Sequence, residues 1–183
     1  MGASTDVDLQ RTRQAVIDAH SAAESAHDLD AVIATFHHAR YEIVPTGEVF
    51  DGEEAVRRYH AENFAGFPDF SVEPIAAYQG DDAVAEEAWV SGTHLGAYHG
   101  LPPTSRVLRV RVCGIYVFEQ DRLVCERVYY DLLTVLRGLG VARDPDSIAG
   151  QLTTLISHPL HLGRTFGREL LRRRRSSNPA PSE

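Results

Sequence analysis

Apolar residues recur at helical spacing in the first third of the chain. Leu9, Val16 and Ile17 form one such pattern, and residues 29–36 form a second. Spacings of three and four residues are typical of helices with one buried face, so the sequence predicts two N-terminal helices. A third helix is predicted over residues 53–64, where acidic residues occupy the first turn, as the positive end of a helix dipole favours.

The pattern then changes to β-type runs separated by turn residues. Residues 41–44 and 49–50 predict a short hairpin, and residues 131–139 predict a final short helix. Longer strands are predicted over residues 70–78, 83–93, 107–119 and 123–130. Helices followed by a meander of strands are typical of an α+β fold, in which a curved antiparallel sheet wraps over the helices. This is the fold class that the sequence predicts.

The apolar pattern weakens after residue 142, and the charge changes with it. All 18 basic residues are arginine, and seven of them lie from Arg143 onward. We therefore expect one domain over residues 1–142 and a separate segment over residues 143–183, made of an amphipathic helix and a disordered basic tail. The apolar stripe of that helix, which includes Ile148, Leu152 and Leu155, predicts that it packs on the domain or on a partner subunit.

Composition argues against several classes of function. The net charge of −8 disfavours a nucleic-acid partner. No apolar run is long enough to cross a membrane, and the first residues lack the apolar core of a targeting signal, so a cytoplasmic protein without membrane contact is expected. Cys113 and Cys125 lie in separate apolar segments, which predicts buried free thiols. The nine histidines lack the spacing of metal ligands, so no metal is expected.

Asp131 is the foremost candidate for a catalytic group. Side chains alternate between the two faces of a strand. The residues predicted to share one face are therefore Leu123, Cys125, Arg127, Tyr129 and Asp131. If that face lines the hollow of the sheet, burial raises the pKa of the Asp131 carboxyl and suits it to proton transfer near neutral pH. The alternative is that Asp131 only caps the helix that follows it, and spacing alone does not separate the two.

The strand over residues 83–93 offers a second set of candidates. Glu87 and Trp89 share a face with two hydroxyl side chains, and this combination suits a pocket for an aromatic substrate. The alternative is that Glu87 forms an ion pair with an arginine of the next strand. His94 ends the strand, either as a proton carrier or as a hydrogen-bonded surface residue.

Several short motifs occur in a fixed order between residues 7 and 140. They are Gly92-Thr93-His94-Leu95-Gly96, Gly100-Leu101-Pro102-Pro103-Thr104 and residues 122–131, with further matches at Pro45-Thr46-Gly47 and Phe67-Pro68-Asp69. Together they resemble the SnoaL-like polyketide cyclase family of the NTF2-like superfamily, and most closely its members called ester cyclases. Two positions depart from the family: Ser105 replaces a loop glycine, and residues 115–117 are apolar where some cyclases carry a second polar residue.

The resemblance implies an NTF2-like cone, in which a curved antiparallel sheet and helices enclose an internal cavity. It also implies that the protein needs no cofactor, and that it forms a homodimer or higher homo-oligomer through the outer face of the sheet. Family members that close polyketide rings use an aspartate as general acid and base. That aspartate falls on Asp131.

We therefore expect a cofactor-independent cyclase or isomerase that acts on a hydrophobic, polyketide-like carbonyl compound, with Asp131 and His94 as catalytic residues. The residues expected to bind the substrate are Glu87, Trp89, Arg127, Tyr129, Tyr41 and Phe67. Two alternatives remain open: addition of water in the same pocket, as in epoxide hydrolysis, and a non-catalytic module that binds a small molecule. An isolated Asp131 in an apolar pocket favours proton abstraction, a network with Arg127 and Glu87 favours water activation, and an Asp131 bonded to helix backbone away from any cavity favours the module.

Overall fold

Three helices precede the long strands of the fold. A computed structural model describes residues 2–144 and residue 147, with side chains from residue 6. The helices are α1 (Gly2–Ser25), α2 (Leu29–Ala34) and α3 (Glu53–Gly66). Asp28 begins α2, because its carboxylate accepts a hydrogen bond of 3.0 Å from the backbone amide of Ala31, which the first turn of a helix cannot otherwise satisfy. The three helices expected from the sequence are present.

Six strands form one curved, open sheet. They are β1 (Arg40–Ile43), β2 (Glu48–Asp51), β3 (Ser71–Gln79), β4 (Ala83–Thr93), β5 (Val107–Glu119) and β6 (Arg122–Tyr130), and the short helix α4 (Leu132–Gly138) follows them. The order across the sheet is β2-β1-β6-β5-β4-β3. The predicted α+β class is confirmed, and β4, β5 and β6 are consecutive antiparallel neighbours as expected. The sheet is not wholly antiparallel, however, because β1 runs parallel to β6.

A β-bulge reverses the side-chain alternation near the start of β6. Val117 pairs with Cys125, but Phe118 pairs with Leu123, so Val124 is left over. One extra residue moves every later side chain to the opposite face of the sheet. Leu123 is therefore fully buried in the core, whereas Cys125 and each second residue after it lie on the outer face.

Helix α1 packs against the inner face of the sheet. Its Ile17 belongs to a buried cluster with Val84, Tyr116, Phe118 and Leu123. Closer to the start of the helix, Arg13 is only 3% exposed and donates hydrogen bonds to the backbone oxygens of Gln120 at 2.6 Å and Asp81 at 3.0 Å. These two oxygens belong to the β5–β6 and β3–β4 turns, so one side chain holds both turns against the helix.

The chain divides into two compact units, Met1–Val141 and Ala142–Glu183. Only residues 142–144 and 147 of the second unit are described, so the amphipathic stripe at Ile148 and its expected packing lie outside the described residues. None of the described helices is both long and apolar enough to cross a membrane. Both cysteines are free; Cys125 is buried and Cys113 is half-buried.

Candidate active site

A cavity lined by the sheet, α1 and α3 encloses about 1050 Å³ of empty space, including the part open to solvent. Aliphatic side chains of β3, β4 and β5, such as Val72, Val90 and Val110, form much of its wall. Seven aromatic residues also contribute to the lining: Tyr41, Tyr59, Phe67, Phe70, Tyr98, Tyr116 and Tyr130. The acidic residues of the lining are Glu24, Glu48, Glu86 and Glu126. The cavity thus combines an apolar wall with a few carboxyl groups, an arrangement typical of small-molecule sites.

A buried polar cluster lies at one part of this cavity. The His20 ring is fully buried, and its Nε2 atom lies 2.5 Å from the Tyr41 hydroxyl, 3.3 Å from Glu126 Oε2 and 3.6 Å from Glu24 Oε1. The Tyr41 hydroxyl donates to Glu24 Oε1 at 3.0 Å. His60, also buried, places its Nδ1 atom 3.7 Å from the same Glu24 oxygen. Two carboxyl groups, a phenol and two imidazoles therefore share a few ångströms of protein interior.

The hydrogen bonds around His20 fix where its protons are. The Thr35 hydroxyl donates to the Val32 carbonyl at 2.6 Å, so it must accept from His20 Nδ1 at 2.7 Å. The Tyr41 hydroxyl donates its hydrogen bond to Glu24. The 2.5 Å contact between this hydroxyl and His20 Nε2 therefore requires a proton on Nε2 as well. Both ring nitrogens are then donors, as in an imidazolium. Because the Nε2 proton is directed to Tyr41, Glu126 Oε2 makes only an ion-pair contact of 3.3 Å with this nitrogen and has no hydrogen-bond partner among the described residues.

The pKa shifts agree with this assignment. Burial by itself would lower the pKa of His20, but the neighbouring carboxyl groups of Glu126 and Glu24 outweigh it and raise the pKa to about 10. Burial also works against ionisation of Glu24, yet the hydrogen bond and charge of His20 hold its pKa below the usual range. Burial raises the pKa of Glu126, and burial lowers the pKa of His60 to about 4. Burial and neighbouring charge thus give adjacent groups different proton affinities.

A glycine in the central strand leaves room for the carboxyl groups. Gly114 lies on β5 opposite Glu86 of β4, and a Cβ atom there would come within 3.2 Å of Glu126 Oε1 and 3.0 Å of the Tyr116 ring. Glycine inside a strand often marks such a close approach. Glu86 is 3% exposed, its Oε1 atom has no hydrogen-bond partner among the described residues, and burial raises its pKa.

The same His20, Glu24 and Glu126 atoms lie within 4.8 Å of one another and could hold a metal ion. A metal ion would have to replace the proton on His20 Nε2, because an imidazole nitrogen binds a metal only when it is deprotonated. The absence of a metal stays a prediction from the sequence.

Most of the residues expected to bind substrate lie on the other face of the sheet. Arg127 donates to Glu42 at 2.8 Å, Glu87 is hydrogen-bonded to Arg111, and the Trp89 ring stacks with two arginines of β5. Tyr129 is 41% exposed. The expectation that these four side chains line the internal cavity is wrong, because the bulge in β6 and the alternation of β4 turn them outward. The alternative interpretation of Glu87, an ion pair with the next strand, is confirmed.

Asp131 acts as the N-cap of α4. Its carboxylate accepts hydrogen bonds from the backbone amide of Leu133 at 2.9 Å and from the Thr134 hydroxyl at 2.6 Å. The Thr134 hydrogen bond is the main reason that the pKa of Asp131 is lowered. The prediction that this carboxylate lies on the cavity side is wrong, since Asp131 is exposed and borders only a shallow outer depression together with Tyr129. An Asp131 bonded to helix backbone outside the cavity is the arrangement expected of the non-catalytic module, so the catalytic role of Asp131 stays a prediction that this position does not favour.

The other three expected residues lie on the inner side of the sheet. Tyr41 and Phe67 both line the cavity. His94 is fully buried behind it, stacked against Phe67 with ring centroids 5.3 Å apart and hydrogen-bonded through Nδ1 to Thr104 at 3.0 Å. His94 is thus neither at the surface, as one alternative held, nor in contact with the polar cluster around His20.

Sequence reasoning missed His20, Glu24 and Glu126. The first two lie four residues apart on α1, on the stripe that also carries Ile17 and faces the sheet. Polar residues at core positions of an amphipathic helix are the signal that could have identified them, because such groups are buried only with partners. Glu126 required the bulge to be known, since uninterrupted alternation from Leu123 puts it on the outer face.

Comparisons with known proteins agree on the fold. The family model described as SnoaL-like polyketide cyclase matches residues 13–139. IdmH, a proposed polyketide cyclase from Streptomyces antibioticus, is 24% identical, with 70% of this chain and 99% of that chain covered and a TM-score of 0.60. AclR, a proposed hydroxylase from Streptomyces galilaeus, is 19% identical, with 83% and 96% covered and a TM-score of 0.64.

A third similar structure is a protein from Catenulispora acidiphila with a ketosteroid isomerase-like fold, determined in complex with trimethylamine. It is 22% identical, with 69% of this chain and 92% of that chain covered and a TM-score of 0.60. No curated protein is significantly similar to this chain. At these identities the solved structures support the fold and leave the chemistry to be argued from the site.

Proposed function

Because the chain belongs to the SnoaL-like polyketide cyclase family, we propose that it transfers a proton at a carbon next to a carbonyl group and so cyclises or isomerises a hydrophobic compound. The observation that carries the proposal is Glu126, a buried carboxyl in a largely apolar cavity, whose Oε2 atom makes an ion-pair contact of 3.3 Å with His20 but no hydrogen bond among the described residues. Burial raises its pKa, and a general base is most effective when its pKa approaches the working pH.

Glu126 is the proposed base and Tyr41 the proposed hydrogen-bond donor. The Glu126 carboxylate removes the proton α to the carbonyl, which leaves an enolate. The Tyr41 hydroxyl, which now donates to Glu24, donates instead to the enolate oxygen. His20 donates to the Tyr41 oxygen at 2.5 Å, and this makes the phenol a stronger donor. A fixed donor of this kind typically contributes about 10²–10³-fold to the rate.

In a cyclisation, the enolate carbon then attacks a second carbonyl carbon of the same molecule, and one carbon–carbon bond forms. The resulting alkoxide takes the proton back from the Glu126 carboxylic acid, so no proton is gained or lost overall. Glu24 stays ionised throughout and balances the charge of His20. In an isomerisation, the same proton returns to another carbon of the enolate. The proposed steps use only side chains of this chain.

The proposal is tested by proton exchange, which does not require the natural substrate. Neutral aromatic ketones, beginning with 2-tetralone, are incubated with the protein in D₂O, and loss of the α-proton signal is followed by NMR. We expect the wild-type protein to accelerate exchange. Glu126→Gln should lower the protein-dependent exchange rate by about 10²-fold or more. Tyr41→Phe, which keeps the base but removes the proposed donor, should also lower this rate.

The matched control is Glu73→Gln, which removes an exposed carboxylate paired with Arg109 at 2.9 Å and should leave the rate unchanged. Exchange that survives in Glu126→Gln contradicts the proposed base. A protein that binds the ketones, as seen in NMR titrations, but never accelerates exchange is a binding module, which was the non-catalytic alternative.

A further inference from the structure

The charged groups that line the cavity are almost all acidic. Four glutamates contribute to the lining, and among the described residues no arginine does so; the chain has no lysine. The His20 cation is engaged with Tyr41, Glu24 and Glu126. His20 itself is not part of the lining; the basic residue that lines the cavity, among those described, is His99, which is exposed. An anionic ligand would therefore meet repulsion in this cavity, because an apolar wall screens charges less than bulk water does.

Glu86 has no positive charge to balance it. Its Oε2 atom accepts one weak hydrogen bond of 3.4 Å from Gln14, while its Oε1 atom has no partner among the described residues although the side chain is 97% withdrawn from solvent. Glu126, whose Oε1 atom would lie 3.2 Å from a Cβ atom at Gly114, has an Oε2 atom that contacts His20 at 3.3 Å but makes no hydrogen bond among the described residues. Buried carboxyl oxygens without donors are costly. A ligand that supplies donors or positive charge removes that cost.

Aromatic rings provide the second, independent part of such a site. The faces of aromatic rings attract cations, particularly away from water. Tyr116 is the inner neighbour of Gly114 along β5, and Tyr41, Tyr59 and Phe70 also line the cavity. Proteins usually bind alkylated ammonium groups with several aromatic rings and a carboxyl group, because the alkyl substituents pack against the rings and do not hydrogen-bond.

We propose that the cavity contains a binding site for the ammonium group of a hydrophobic amine, with the Glu86 carboxylate as its anchor and the neighbouring aromatic rings as its walls. This goes beyond the proposed function, because it concerns binding and requires no turnover. Ligands that carry a carboxylate are excluded by the same charges.

The charge of Glu86 depends on pH, so binding of a cation should also depend on it. Burial raises the pKa of Glu86, and a permanent cation binds the ionised form, so its affinity should increase as pH rises from 5 to 7.5. The groups that surround Glu86 are Gln14, Asp18 and Ser21 of α1, Tyr116 of β5 and Glu126 of β6. None of them is basic, and burial raises the pKa of Glu126 as it does that of Glu86.

The test compares two ligands of the same shape. Phenyltrimethylammonium is a permanent cation, and tert-butylbenzene is its neutral carbon isostere. Each is titrated into the full-length protein, and amide NMR signals report the dissociation constant. Transfer from water alone favours tert-butylbenzene. We expect the cation to bind at least tenfold more tightly, with an affinity that rises with pH, while the binding of tert-butylbenzene stays independent of pH.

Glu86→Gln should weaken binding of the cation at least tenfold and leave tert-butylbenzene unaffected. Glu86→Asp, which keeps the charge, should retain the preference for the cation, and the exposed Glu73→Gln should behave as the wild type. Equal binding of the two ligands, no binding of the cation, or the same loss in Glu73→Gln would overturn the proposal. If Glu86→Gln does not fold, the comparison of the two ligands in the wild-type protein still tests the proposed ammonium site. Exchange of neutral ketones remains a separate test of the proposed function.

Discussion

The buried cluster should make the protein less stable as pH rises above 6.5. The pKa of His20 is raised from 6.5 to about 10, so between these values the folded protein keeps a proton that the unfolded chain has lost. Each pH unit in this range lowers the free energy of unfolding by about 1.4 kcal/mol. The loss between pH 6.5 and pH 9 is about 3 kcal/mol. Below pH 6.5 the full contribution is present. The raised pKa of Glu126 acts in the same direction, because that carboxyl also keeps its proton longer in the folded state.

Glu126→Gln tests this reasoning, because it weakens both contributions. Without the Glu126 charge the pKa of His20 falls toward its ordinary value, so the slope of the free energy of unfolding above pH 6.5 should fall to less than half. Urea unfolding at pH 6.5, 7.5 and 8.5, followed by fluorescence of the single tryptophan, measures it. Asp51→Asn is the control, since the Asp51–His38 pair is exposed. A wild-type protein equally stable at pH 6.5 and 8.5, or a variant with the wild-type slope, would refute the assignment of a charged His20.

Three further substitutions test other features of the structure. Arg13→Met leaves buried turn carbonyls without their donor and should lower the free energy of unfolding by about 2–4 kcal/mol. The control is Arg11→Met, whose side chain is exposed, and it should lower this free energy by less than about 0.5 kcal/mol. Chemical denaturation measures both. Gly114→Ala places a methyl group 3.2 Å from Glu126 Oε1 and should cost about 1–3 kcal/mol together with a slower ketone exchange; a variant with wild-type stability and rate would contradict the close packing. Asp131→Asn should change stability by less than about 1 kcal/mol, since Asn caps nearly as well as Asp, and should leave exchange intact; a hundredfold loss of exchange would restore Asp131 as the catalytic group.

The strands could be predicted from the sequence to within a residue or two, because each is bounded by turn residues and carries a long β-type run. β4 and β5 begin and end where the pattern places them. The face of each strand that lies toward the cavity was harder to predict from the sequence. Leu123 is an obvious core residue, and counting onward by two from it leads to Asp131, yet the bulge at Val124 breaks the count. Nothing in the local sequence of β6 indicates that bulge.

The candidate site was missed for a related reason. Sequence reasoning sought polar groups at strand ends and loop mouths, whereas the structure buries His20, Glu24 and Glu126 among core residues. Their partners come from α1, β1 and β6, which are far apart in the sequence, so only the packing of the helix on the sheet brings them together. Tyr41 was expected to contact substrate, but its hydrogen bonds to His20 and Glu24 could not be read from its position.

The contacts of Arg13 also bear on the order in which the protein is made and folded. The oxygen that this side chain reaches on Gln120 lies 107 residues later in the chain, and Glu126 follows Gln120 on the next strand. Helix α1 is therefore synthesised long before Arg13 can meet Gln120 and before His20 can meet Glu126, although Thr35 and Tyr41 follow the helix closely in the chain. Contacts between distant parts of a chain slow folding. The same polar residues that make the interior expensive to assemble thus keep the newly made helix from burying a continuous apolar face against other chains.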